Sequence, residues 1–423
     1  MREDFLHYIW RFKKFDWQDL RTSQGESIDI IEAGEYNTNA GPDFLNARLQ
    51  IGETLWAGSV ELHIKSSEWL AHKHQNDPAY SNVILHVVWE MDKVINRNDA
   101  DEMLACVELK GRVQGHLLAK YQQILHNQHW IPCQHHFHEV SQLTKSMWYE
   151  RLLVERMEQK TERFMEVLAQ NKGNWEETFY QLLARNFGGN INNDAFQTLA
   201  HSIPLLILSK HKDSPKQIAA LLFGQAGFLD NDFEEEYPLS LKKEYQYLRQ
   251  KHNLTPMPFV MWRYLRLRPA NFPSIRIAQF ATLIAQTVHL FSKTIEIETL
   301  TEWQKMFQLS LPEYWETHYL FDKLSPKSKK TLGKDSVNLL LINVVAPCLF
   351  AYGKYRNEEN MKDKALNLLE SIDAEDNSII EGWKKLGESA ENAAKTQALL
   401  QLKKQYCDKQ ACMQCAIGAA VLK

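Results

Sequence analysis

The sequence lacks most of the features that would place a protein at a glance. No apolar run is long enough to span a bilayer. The longest, Val337–Tyr352, falls short of the roughly 18 residues a spanning helix needs and contains two asparagines. A buried core helix is expected there, and no membrane association. The opening residues MREDFLHYIW carry two acids by position four and no apolar stretch of the secretory kind, so no leader peptide is expected. Cysteine is scarce, and six in 423 residues do not make a disulfide scaffold. A reducing, cytoplasmic setting is the expectation. Neither sign of charge dominates: a formal net charge of −4 decides nothing about nucleic acid, because a local basic face binds phosphate within an acidic whole. Long linkers and internal repeats are missing too. One absence is local, for the stretch Tyr245–Ile295 has no Asp or Glu at all.

What is present describes a soluble globular chain, 44% hydrophobic and 24% charged. Its length suits two domains. Residues 1–138 read as α/β and residues 139–423 as helical. In EDFLHYIWRFKKF, Phe5, Tyr8, Ile9 and Phe12 recur at helical spacing. SIDIIEAGE, FLNARLQIGE and LWAGSVELHIK follow as strand-like runs with Gly, Asn and Pro punctuation. Ser66 or Ser67 can cap a helix in EWLAHKHQ, and NVILHVVWEMD reads as a buried strand. The order is α-β-β-β-α-β. EMLACVELKGRV is expected to pair with the preceding strand as a hairpin across an exposed loop in MDKVINRNDADE. Beyond the connector HWIPCQHHFHEV the periodicity turns helical, with Leu153, Met157, Phe164 and Leu168 on one stripe.

The stretch NAGPDFLNARLQIGETLWAGSVELHIKSSEW concentrates the chemistry. Glu61, His63 and Lys65 alternate along one strand face. Asp43 opens the preceding strand, and a hairpin turning at GET returns it toward Glu61. Two ionised carboxylates so placed repel each other, and a divalent cation is the common remedy. Mg²⁺ or Mn²⁺ takes such oxygen ligands and leaves room for water and a substrate phosphate. An adjacent basic group then orients the attacking water or stabilises phosphoryl charge. A polar turn residue and a solvated strand face are the plain alternative.

Residues and element order together resemble the PD-(D/E)XK nuclease superfamily, over roughly residues 3–91. The resemblance implies a restriction-endonuclease-like core, with Pro42-Asp43 as its PD and Glu61-Leu62-His63 as its (D/E)XK element. The departure is His63, where that family has lysine. Either His63 takes the lysine's role, or Lys65 does so from one strand period away, or the site has lost its chemistry. The whole chain also resembles a bacterial family of proteins without assigned activity, through AGPDF, VELHIKSSEW, VILHVVWE, RLRPANFPSIRIAQFA and CxxCAIG.

Other groupings compete. Asp92 with Glu108-x-Lys110 supplies a second copy of the motif, at a place where the preceding elements do not fit. His63, His72, His74, Asp77 and His86 crowd together, but His72 and His74 would point about 200° apart on a helix, and no HExxH-like signature supports a zinc hydrolase. Near the C-terminus, Cys407, Cys412 and Cys415 have the spacing C-x4-C-x2-C. Clustered thiolates bind Zn²⁺ or an iron–sulfur cluster, and Cys133 or one of His135, His136 and His138 can supply a fourth ligand. Two of the three are otherwise small core residues.

In the acid-free stretch, Arg263, Arg266, Arg268 and Arg276 interleave with Trp262, Tyr264 and Phe272. That mixture suits phosphate pairing and base stacking, and equally suits ion pairs with acidic helices such as NDFEEEY. The sequence therefore leads to an expectation of a metal-dependent nucleic-acid phosphodiesterase, acting on DNA. The alternative is a catalytically inactive nuclease-fold scaffold that binds nucleic acid or a protein partner.

Overall fold

The acids of the first turn and the apolar face of Phe5, Leu6, Ile9 and Trp10 make helix α1, Glu3–Arg11, whose buried side chains lie against the sheet. The sheet contains strands β1 (Ile28–Glu32), β2 (Glu35–Tyr36), β3 (Phe44–Ile51) and β4 (Thr54–Lys65). A short helix α2 (Glu68–Ala71) follows, then strands β5 (Val83–Glu90) and β6 (Cys106–Glu108). The computed structural model describes every residue except 38–39, 98–102, 127–128, 288 and 423, and leaves the side chains of 124–126 undescribed.

The sheet is mixed, in the order β1-β3-β4-β5-β6, with β2 also on β3. β1, β3 and β4 run antiparallel, and Ile51 faces Thr54 across the expected hairpin turn. β5 is parallel to β4, and β6 is parallel to β5. The expected β5–β6 hairpin is therefore wrong. The connecting segment carries the chain back to the start of β5, so that His86 pairs with Cys106. Part of the expected exposed loop, residues 98–102, lies outside the described residues. A strand covered on both edges and both faces reads as a continuous apolar run, and the first six residues of β5 are buried.

Two departures from regular pairing position the site. Between Phe44 and Ala47 the β3–β4 register slips by one residue, with Asn46 in the left-handed region at φ 58°. Pairing continued unbroken from Ala47↔Gly58 would set Asp43 opposite Leu62. The bulge sets it opposite Glu61 instead. At Gly58 the chain passes so close to its neighbour that a Cβ would lie 2.4 Å from the Asn82 carbonyl oxygen.

The chain divides into two compact units. The first is residues 1–150 together with 381–388 and 400–423; the second is 151–380 with 389–399. A boundary drawn at 138/139 from the change in periodicity leaves the C-terminal cysteines with the helices, whereas packing puts them in the sheet unit. The second unit is almost wholly helical. It contains most of helix Gln142–Gln170, whose Leu153, Met157, Phe164 and Leu168 are buried as their spacing predicts. Lys334–Arg356 is one helix of 23 residues, long and apolar enough to cross a membrane, and 78% of its apolar window is buried inside the protein.

Candidate metal centre on the sheet

Asp43 and Glu61 meet. The Asp43 amide donates to Glu61 Oε2 at 3.1 Å, and the Leu62 amide donates to Asp43 Oδ2 at 2.9 Å. Glu61 Oε1 lies 3.6 Å from His63 Nε2 and 3.3 Å from His74 Nε2. His63 Nε2 lies 3.1 Å from His72 Nδ1, and its Nδ1 lies 2.9 Å from His86 Nε2. From α1, His7 Nε2 approaches Asp43 Oδ2 at 3.2 Å. Ligand atoms of His63, His72 and His74 all fall within 4.8 Å of one another.

The expectation that His72 and His74 cannot share an ion assumed a helix through both. α2 stops at Ala71, and Lys73 turns into the left-handed region at φ 63°. The reversal brings the two rings to 5.4 Å, and His74 stacks on Tyr80 at 3.8 Å. Trp69, fully buried, anchors this segment and packs against both His74 and His86. Replacing such a side chain by alanine costs about 3–5 kcal/mol.

Burial sets the protonation states. The Glu61 carboxyl is pushed up to about 9, first by burial and then by the Asp43 charge. Burial, then the charges of His86, His74, His72 and His7, pulls His63 down to about 2. Burial, followed by His74, pulls His86 down to about 3. His74 is lowered by burial and then by His72, and Glu3 is raised by burial and then by Asp43. At neutral pH a protonated Glu61 stands beside the neutral rings of His63, His74 and His86. Neutral imidazole is the ligating form, and a bound cation would take the place of the Glu61 proton.

Three buried nitrogens around this site, His7 Nε2, Trp69 Nε1 and His86 Nδ1, make no hydrogen bond. His7 Nε2 is near Asp43 but not aligned with it. Orphaned buried donors and acceptors are rare and mark places where an ion or water belongs. The donor set of two carboxylates and three imidazoles fits Mn²⁺, Zn²⁺ or another first-row ion better than Mg²⁺, which favours oxygen alone. The His86–His63 contact supplies the outer-shell hydrogen bond that fixes a ligating ring.

The chain belongs to the DUF2851 family. Residues 3–378 match that family, described as a protein of unknown function. No curated protein and no solved structure matches the chain.

In this DUF2851 chain the remaining sequence candidates fall elsewhere. Lys65 is exposed and stands in register with Glu90 across the β4–β5 pair. The second motif copy is dispersed. Asp92 binds the Ser67 amide at 2.9 Å and the Ser66 and Ser67 hydroxyls at 3.0 and 2.7 Å, Glu108 accepts from the Met91 amide, and Lys110 pairs with Glu90 at 2.6 Å. Arg263, Arg266 and Arg268 are exposed, with no ion pair recorded among the described residues. Arg276 is instead half-buried, donating to Asn271, Gln279 and Ser336. Trp262 is no stacking platform: it is buried, and its indole donates to the Ala226 carbonyl at 2.8 Å. Tyr264 and Phe272 pack edge-to-face at 5.1 Å. Sequence reasoning missed His7 and Glu3. They are four apart on α1, and that i,i+4 pair of polar residues beside an apolar stripe was the available signal.

Proposed function

We propose that the chain is a metal-dependent phosphodiesterase acting on nucleic acid, DNA in the first instance, with its centre at Asp43, Glu61, His63, His72 and His74. The direct contact of Asp43 with Glu61 across β3 and β4 carries this reading. Supporting it is the order α1-β1-β3-β4-α2-β5, interrupted by the two-residue β2 and by two short 3-10 turns after α2, which parallels the core of the PD-(D/E)XK nucleases. A divalent ion bound there would polarise a phosphoryl oxygen and acidify a water. Asp43 and Glu61 would hold that ion, and His86 would orient the His63 ring.

His63 does not replace the family's lysine as a cation. An imidazole with its pKa drawn down to about 2 is neutral at physiological pH, so its natural role is as a ligand. This points to Mn²⁺ or Zn²⁺ in preference to Mg²⁺. Arg263, Arg266 and Arg268 are the candidate phosphate contacts in the helical unit.

The lack of a cation beside Glu61 among the described residues favours a second reading, a scaffold that binds nucleic acid or a protein partner without cleaving. One experiment separates them. Purified protein is incubated with single- and double-stranded DNA and RNA, with Mn²⁺, Mg²⁺, Zn²⁺ or chelator, beside Asp43→Ala and Glu61→Ala. The nuclease reading expects cleavage that needs metal and is lost in both variants. Cleavage that survives both substitutions overturns the site. Salt-sensitive binding without cleavage selects the scaffold.

A further inference from the structure

Four of the six cysteines lie in the sheet unit on elements that pack together, three of them close in sequence and Cys133 far before them. Cys407 ends a π-helical turn, Leu402–Cys407, a local unwinding that often marks functional positions. Cys412 opens the turn Cys412–Gln414, and Cys415 sits at the start of the helix Ala416–Val421. The fourth, Cys133, starts the turn Gln134–Glu139, which packs on that same helix. The fold over Cys412 is so tight that a Cβ on Gly418 would lie 2.2 Å from the Cys412 carbonyl oxygen.

Cys133, Cys412 and Cys415 are almost fully buried, at 6%, 6% and 5% exposure. The turns that hold them pack together, Leu402–Cys407 on Cys412–Gln414, and both Cys412–Gln414 and Gln134–Glu139 on the helix Ala416–Val421. Burial raises the Cys407 thiol first, and charge on Cys415, Cys133 and Cys412 raises it further. Cys412 is raised by burial, then by Cys133 and Cys415; Cys133 by burial, then by Cys415. The other two cysteines have no such company: after burial, Cys106 responds to Glu108 and Cys348 to Glu176. Burial raises the Cys415 thiol as well, to about 11. All four cysteines are free of disulfides.

We propose that Cys133, Cys407, Cys412 and Cys415 ligate an iron–sulfur cluster that fastens the C-terminal segment to the sheet unit. The spacing C-x4-C-x2-C with one remote cysteine is a known iron–sulfur ligand pattern, although here the remote residue precedes the other three. A single Zn²⁺ with bonds of about 2.3 Å would draw its sulfurs to within about 4 Å of one another. The set recorded within 4.8 Å among the described residues is the histidine one, not these sulfurs. A multi-iron cluster spreads its thiolates more widely. The proposal does not depend on the Asp43–Glu61 reading.

The test uses the full chain, expressed with iron and purified without oxygen. Visible charge-transfer absorption is expected, with at least about two iron and two acid-labile sulfide per chain. Cys412→Ser and Cys415→Ser lose most of both, while Cys348→Ser, a buried thiol of the helical unit, keeps them. Wild-type protein stripped of metal and reconstituted without oxygen with ferric iron, sulfide and a thiol reductant regains the absorption, a readout independent of how well the variants fold. A colourless wild type that stays so after reconstitution overturns the proposal. So does one zinc per chain without sulfide, or an equal loss in Cys348→Ser.

Discussion

The backbone amide of Asp43 binds the side chain of Glu61, and the side chain of Asp43 binds the backbone amide of Leu62, so each strand grips the other at the candidate centre. Neither carboxylate can move without releasing the other's strand. Metal affinity should therefore depend on both. In chelator-treated protein titrated with Mn²⁺ or Zn²⁺, Asp43→Ala and Glu61→Ala should each weaken binding at least about tenfold. Lys65→Ala, changing an exposed residue of β4, should leave it unchanged. Equal loss in all three would show that the ion binds elsewhere.

His86 is out of contact with solvent, and its side chain is hydrogen-bonded to the His63 ring of the centre. His86→Leu should lower metal affinity about 10–100-fold while the far-ultraviolet circular dichroism stays that of the folded protein. Unaltered affinity would mean the His63 ring needs no second partner.

The pH dependence of the chelated protein has a definite sign. Glu61 ionises near 4.5 when unfolded and near 9 when folded. Between those values the folded state binds one proton more, so this group's contribution, complete below pH 4.5, is lost as the pH rises toward 9. Glu61→Gln should match the wild type near pH 4 and exceed it in urea midpoint at pH 8. Saturating Mn²⁺ should reverse that order, because only the carboxylate ligates well. A variant less stable than wild type at pH 8 in chelator would refute the burial argument.

Much of this arrangement was legible in the sequence. Alternation in FLNARLQIGE and LWAGSVELHIK, with turn residues between, gave the β3–β4 hairpin, and the apolar spacing gave α1. The rest turns on single backbone angles and on distant pairings. Neither the bulge at Asn46 nor the left-handed turn at Lys73 has a pattern of its own, since each is fixed by what packs around it. The parallel placement of β6 follows from where β5 leaves an open edge, which local periodicity does not encode. Trp262 looked like a binding aromatic because sequence shows its arginine neighbours and hides the Phe196 and Phe228 rings that enclose it.

For the helical unit, the three exposed arginines and the half-buried one should behave differently. Replacing Arg263, Arg266 and Arg268 together by glutamate should weaken nucleic-acid binding and flatten the slope of log K against log salt by about two to three. Arg276→Gln should leave that slope alone, since its guanidinium already serves Asn271, Gln279 and Ser336. Fluorescence anisotropy across a salt series measures both.

Gly58→Ala forces a methyl group against the Asn82 carbonyl and the Ile84 side chain, at 2.4 and 2.5 Å. The β4–β5 pair must open to admit it, at a cost of about 1–3 kcal/mol or more. Chemical denaturation should show the loss, and metal affinity should fall with it because Glu61 and His86 pair across these same strands.

The first unit draws residues 400–423 into its own packing. The Tyr8 hydroxyl of α1 reaches the Ala419 carbonyl, and the Arg2 guanidinium reaches that of Gln410. On the ribosome, the sheet must therefore wait for the entire helical region to be synthesised before α1 finds its last neighbours. Helix α1 is made long before residues 400–423, yet its packing is completed only once they emerge.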